Sequence, residues 1–126
     1  MAGLTCAHEL AKSGFDVHVF EKSKGVGGRM SHRYYEEWEA DHGAQYFTVK
    51  DQLFAARLTE WMNAGVVAEW GGKIVEFDSG SIRALRSKMQ RYVGVPAMTA
   101  PAKYIAKSLN IHIQHSVVGL KQINNL

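Results

Sequence analysis

Three short features stand in a fixed order near the start of this 126-residue chain, and together they leave few folds open to it. Gly3 heads an apolar helical stripe, a β-rich run ends in the acidic Glu21, and the glycine-rich, basic segment SKGVGGRM follows at once. In AGLTCAHELAKSG, Leu4, Ala7, Leu10 and Ala11 share one helical stripe, and Gly14 suits a left-handed C-terminal cap. DVHVFE carries Val17, Val19 and Phe20, the composition of a buried parallel strand. A helix joined so tightly to a strand predicts half of a βαβ unit. Gly3 and Glu21 stand 18 positions apart. That interval suits a helix of about three turns, a tight turn and a strand of about five residues.

The rest of the chain predicts a mixed α/β fold. RYYEEWEADHGAQYFT reads as a pair of strands broken at Glu36 and Glu37. Asp51 can cap a helix in which Phe54, Leu58, Trp61 and Met62 share a face, with Gly65 as its stop. Residues 66–77 predict a hairpin around Gly71 and Gly72, and 81–92 a helix with Ile82, Leu85, Met89 and Tyr92 inward. Thr99 and Pro101 open another helix, with Ala102, Ile105, Ala106 and Leu109 on one stripe; strands are expected at 111–114 and 117–123.

Composition narrows the class. The 46% of hydrophobic residues can line one core, which argues against intrinsic disorder. A single cysteine supplies neither an internal disulfide nor a metal ligand set, so a reducing, cytoplasmic setting is expected. No apolar run nears the roughly 20 residues that span a bilayer, and no signal peptide is recognised, so no membrane partner is expected. A formal charge of +3 is too small for a nucleic-acid footprint but would suit an anionic ligand.

The leading pattern has a chemical meaning. A dinucleotide-binding unit needs a glycine early in its first helix and an acidic residue at the end of its second strand, to accept ribose hydroxyls. Gly3 and Glu21 fit those places. Gly27 and Gly28 let backbone amides approach an anion, and Arg29 offers a planar fork matching phosphate oxygens. The helix start adds unpaired N–H groups and partial positive charge. An FAD or an NAD adenosine would satisfy Glu21 equally. The first strand and the two earlier glycines of GxGxxG are absent before Gly3, so these residues are expected to be part of a longer reading frame or decayed gene. Alone, the chain is expected to be poorly soluble and not to hold FAD, because 17–20 would carry an unpaired edge.

AGLTCAHELAKSGFDVHVFEKSKGVGGRM resembles the N-terminus of flavin-dependent amine oxidases, and DHGAQYFT and RYVGVPAM resemble their renalase-like bacterial branch. The likeness runs from Gly3 to about Leu120. It implies a Rossmann-type FAD-binding domain, lacking its first strand, at 1–33 and 99–126, with the start of an inserted substrate domain at 34–98. It implies hydride transfer from a C–N or dihydropyridine-like small-molecule substrate to the flavin. Residue by residue, Glu21 with Lys22 beside it would serve the ribose, and Gly27, Gly28 and Arg29 the pyrophosphate. Gly43 and Ala44 would flank the isoalloxazine, and the Val117 backbone would contact the adenine. No catalytic residue is assigned. An NAD(P)-binding dehydrogenase and a non-catalytic remnant are the other readings.

Plainer readings accompany these. Gly3 and Glu21 alone would be structural; the GGR loop reverses that order. Asp41 is equally a strand-end residue or a flavin neighbour, and His42, lacking an identifiable carboxylate partner, is a surface or hydrogen-bonded histidine. His112 and His115 would face opposite sides of a strand, so no metal is expected. Cys6 reads as a small buried hydrophobe. Arg83, Arg86, Lys88 and Arg91 read as a solvated helix face, and Trp38, Tyr46, Trp61 and Trp70 as aromatic core or, failing that, a cavity wall.

Overall fold

A computed structural model describes residues 1–84 and 89–121. In chain order its elements are α1 (Ala2–Lys12), β1 (His18–Glu21), a 3-10 turn (Gly28–Met30), β2 (His32–Tyr35) and β3 (Trp38–Asp41). There follow α2 (Gln52–Asn63), β4 (Val67–Glu69), β5 (Val75–Asp78), β6 (Ser81–Ala84), β7 (Tyr92–Gly94), α3 (Ala100–Ala106) and β8 (Asn110–Ile113). The chain divides into two units, one of Met1–Gly28 with the described part of Ala102–Leu126, the other of Arg29–Pro101.

In the first unit, α1 buries Leu4 and Ala7. Gly14 ends it in left-handed backbone at φ 87°, with the Phe15 N–H donating to the Leu10 carbonyl and the Gly14 N–H to that of Ala11. These two bonds form a Schellman motif, which needs a residue free of a Cβ penalty at that place. β1 then pairs in parallel with β8, His18 opposite Asn110 and Glu21 opposite Ile113. The expected buried strand is instead half exposed: Phe20 is 51% exposed and stacks on His112. On α3, Ala102 and Ile105 are buried, but the helix ends at Ala106 and leaves Leu109 outside it. Cys6, expected inside, is exposed. Of the strand expected at 117–123, residues 117–121 are irregular and the remainder lies outside the described residues.

The second unit begins with the β2–β3 hairpin, Tyr35 opposite Trp38, whose two-residue turn places Glu36 at φ 51°. The Asp51 carboxylate accepts from the Phe54 N–H at 3.0 Å and so caps α2. Gly65 closes the helix with a second Schellman pair, Val66 N–H to the Trp61 carbonyl and Gly65 N–H to that of Met62. Leu58 and Trp61 are buried from α2, Val67 from β4, and Met98, at 1% exposure, from the turn before α3. Phe47, Phe54, Trp61 and Tyr92 pack ring against ring in this core.

Strand pairing here differs from the expected 66–77 hairpin. β4 pairs antiparallel with β7, and β5 with β6. The reversing turn lies at Ser79 and Gly80, both at positive φ (47° and 85°), the pairing that a tight two-residue hairpin turn demands. Gly72 has a different duty, since a Cβ there would sit 2.8 Å from the Trp70 indole nitrogen. Ser81–Ala84 is therefore a strand where a helix was expected; Leu85, Arg86 and Lys88 lie outside the described residues.

Gly94 is the tightest point of the core. A Cβ there would collide with the Ala97 carbonyl oxygen and lie 2.7 Å from the Met98 Cα, and neither backbone atom can swing aside. Gly94→Ala should therefore destabilise this unit by about 2–3 kcal/mol, the scale of overpacking. Chemical denaturation followed at the Trp61 fluorescence would show it, and an unchanged midpoint would refute it.

Candidate functional site

Glu21 closes β1, and chain geometry fixes its carboxylate. The Ser23 backbone N–H donates to Oε1 at 2.8 Å, folding the residues after the strand back over the side chain. The Gln114 N–H donates to the Ser23 carbonyl and the His115 N–H to that of Glu21, so the segment leaving β8 runs beside this turn. The Ser23 backbone bond, then the Ser23 hydroxyl and, more weakly, the Lys22 charge, hold the Glu21 carboxyl below its usual value of 4.5. Glu21 is thus ionised at neutral pH and acts only as an acceptor. Lys22 is exposed next to it.

The loop after Glu21 is built on left-handed glycines. Gly27 has φ 128° and Gly28 φ 55°. A Cβ on Gly28 would meet nothing within 4 Å, so its glycine answers to backbone conformation alone. Gly3 is equally open: a Cβ there would touch nothing within 4 Å, so no close packing against a strand among the described residues requires its glycine. No side chain caps the start of α1. Val117 stands beyond β8 in irregular, exposed chain.

Arg29, Gly43 and Ala44 belong to the second unit, where the structure brings them together through backbone. The Ala44 N–H donates to the Arg29 carbonyl at 2.8 Å, and a Cβ on Gly43 would overlap that same carbonyl and lie 2.9 Å from its carbon. Gly43 therefore has an intrachain reason to be glycine: two backbone segments cross there with no room for a side chain. The crossing anchors the short 3-10 turn that carries Arg29, whose guanidinium is exposed and without a hydrogen-bonded protein partner among the described residues.

The residue missed from sequence is His32. Its side chain is 6% exposed, with Nδ1 donating to Asp41 Oδ1 at 2.9 Å and Nε2 toward Glu39 Oε2 at 3.3 Å. Both ring nitrogens can donate only in the imidazolium form. Asp41 Oδ1 also accepts from the Met98 N–H at 3.0 Å, so Asp41 ties the hairpin to the turn before α3. His42 is exposed and hydrogen-bonded to the Ser31 hydroxyl at 2.9 Å. Counting back two strands from the Glu36–Glu37 turn puts His32 opposite Asp41; that register was the available signal.

The histidines of the first unit also differ from expectation. Gln114 turns the chain at φ 58° directly after β8, which returns the His115 ring to the side of His112, 5.9 Å away. His18 Nδ1 and His112 Nε2 lie 2.9 Å apart, within a mutual hydrogen bond. Among the described residues no group of three or more His, Cys, Asp or Glu is arranged to hold a metal ion. No helix among them is long and apolar enough to cross a membrane.

Residues 1–58 match the family described as NAD(P)-binding Rossmann-like domain. The matched span holds α1, β1, the glycine turn, the β2–β3 hairpin and the start of α2. The match, with the mixed α/β structure, supports a Rossmann-like dinucleotide-binding domain and is consistent with an oxidoreductase that uses a nucleotide cofactor.

The His32 cluster predicts a pH dependence. The Asp41 hydrogen bond first, and then Glu39, raise the His32 pKa above its usual 6.5. The protonated ring is favoured by folding, so its contribution is complete below pH 6.5 and is lost as pH rises through the higher folded value. The His32 ring should titrate above 6.5 by NMR, and melting temperature should fall across that interval in the parent but not in His32→Gln. Coincident melting profiles of the two proteins would refute this.

Proposed function

We propose that this chain is the dinucleotide-binding part of an FAD-dependent oxidoreductase of amine-oxidase type, similar in pattern to the renalase-like branch. The observation that carries the reading is Glu21: an ionised carboxylate at the C-terminal end of a strand in a parallel pair, its Oε1 held by the Ser23 backbone N–H. Ligands of α/β sheets bind at that end of the strands.

The residues present fit such a cofactor. Glu21 would accept the adenosine ribose hydroxyls, with Lys22 adding positive charge next to it. Gly27 and Gly28 hold left-handed backbone, with the space around Gly28 open to an anion, and Arg29, without a hydrogen-bonded partner among the described residues, would offer its fork of donors to the pyrophosphate. Gly3, at an uncapped helix start clear of other atoms, would let phosphate approach α1. By resemblance, Gly43 and Ala44 would pass beside the isoalloxazine and the Val117 backbone would meet the adenine. Bound FAD would supply hydride acceptance from a C–N or dihydropyridine-like small molecule; the chain's own residues bind and orient it. The cofactor domain is read as 1–33 with 99–126, the substrate domain as starting within 34–98, and the setting as cytoplasmic.

A second reading, binding of NAD(P) itself, is favoured by the description of the matched family. Glu21 would serve it in the same way, whereas Gly27, Gly28 and Arg29 are accounted for more fully by FAD.

Reconstitution with FAD, dialysis and a visible spectrum distinguish the two. The FAD reading expects retained flavin absorbance; a colourless protein that binds NADH would replace it with the second. Arg29→Ala should weaken FAD retention by about 1.5–3 kcal/mol, the scale of hydrogen bonds to a charged group. Glu21→Gln should cost less than Glu21→Ala, because the amide oxygen keeps one acceptor. Equal flavin affinity in the parent and both Glu21 variants would make Glu21 a strand end only.

A further inference from the structure

We propose that the unit Arg29–Pro101 carries a binding cleft for a small planar organic carboxylate, between Trp70, the loop through Lys73, and Arg91. The cleft has a volume of about 360 Å³, enough for a compact ligand. Its described wall holds two cations, Lys73 and Arg91, and neither Asp nor Glu.

Arg91 points to the ligand class. Its Nε is buried and, among the described residues, has no hydrogen-bond partner, a costly state for a charged donor that an incoming acceptor would relieve. The guanidinium carbon lies 4.9 Å from the centre of the Tyr46 ring, and Tyr46 stacks on Trp70 at 5.6 Å with 26° between planes. Backbone pairing builds this ladder. The Trp70 N–H donates to the Arg91 carbonyl at 2.8 Å, adding a rung beyond β4–β7, and Phe47 exchanges two bonds with Tyr92, which sets Tyr46 beside Arg91. A guanidinium held over a ring keeps one orientation, and its Nε edge matches a carboxylate through two parallel hydrogen bonds. Trp70 adds an aromatic surface for a flat ligand. Every residue involved lies in one unit, so the site stands independently of the cofactor reading.

The test is titration of the whole chain with benzoate at low ionic strength, with benzamide as the neutral isostere and benzylamine as the cation. The readout is the Trp70 indole NMR signal, identified by its loss in Trp70→Phe. Benzoate should shift that signal saturably, and benzamide and benzylamine should do so at least about tenfold more weakly. Arg91→Gln should weaken benzoate by about tenfold or more, and Lys73→Gln by a smaller factor. If Arg91→Gln fails to fold, by its melt, Lys73→Gln decides alone. Benzamide binding as tightly as benzoate, no benzoate shift at all, or unchanged benzoate affinity in Lys73→Gln would overturn the proposal.

Discussion

One carboxylate oxygen organises the second unit. Asp41 Oδ1 accepts from His32 across the β2–β3 ladder and from the Met98 backbone 57 positions later in the chain. A two-stranded ribbon is marginally stable alone, so a bond from its last residue to a buried turn places it. Met98 is the most buried side chain of that turn, and its sulfur lies 3.2 Å from the Gly94 nitrogen. Removing the Asp41 carboxylate would leave both a buried amide and an imidazolium without their acceptor. Backbone crossings without side chains do the complementary work: at Gly43 and Gly94 two chain segments come so close that any Cβ would strike backbone.

The features proposed to face a cofactor are of a different physical kind. A Cβ on Gly3 or Gly28 would meet nothing within 4 Å, the Arg29 side chain is exposed, and Glu21 ends its strand as an ionised carboxylate. Groups that the protein itself neither packs nor pairs are available to a ligand, whereas Gly43, Asp41 and His32 are spoken for by intrachain contacts. This contrast separates residues of similar prominence in the sequence. It accounts for Asp41 by intrachain contacts with His32 and the Met98 backbone.

Much of the local architecture was legible along the chain. Leu4 and Ala7 at helical spacing before Gly14 gave α1 and its cap; Asp51 and Gly65 bracketed α2; Glu36 and Glu37 marked the turn between β2 and β3. Each depends on contacts within a few residues, which periodicity and turn chemistry report directly. The hairpin expected around Gly71 and Gly72 failed because that glycine pair and Ser79–Gly80 both offered a turn, and the choice depended on Trp70 packing over Gly72 and on β7 capturing β4. The helix expected from 81 onward gave way to strand for the same reason: Ser81–Ala84 found a partner in β5.

By itself the sequence determined the order Gly3, Glu21, Gly27, Gly28, Arg29, and with it the proposal of dinucleotide binding, because that pattern is written in adjacent residues with their own conformational limits. Only tertiary structure decided that the segment leaving β8 runs beside the Glu21 turn, that His32 is clamped between Asp41 and Glu39, and that Arg91 lies over Tyr46 beside a cleft. Those facts rest on strand register and on partners tens of positions apart. Side-chain pairing across a sheet follows from which strands meet, and that is settled by burial of the whole unit rather than by any local preference.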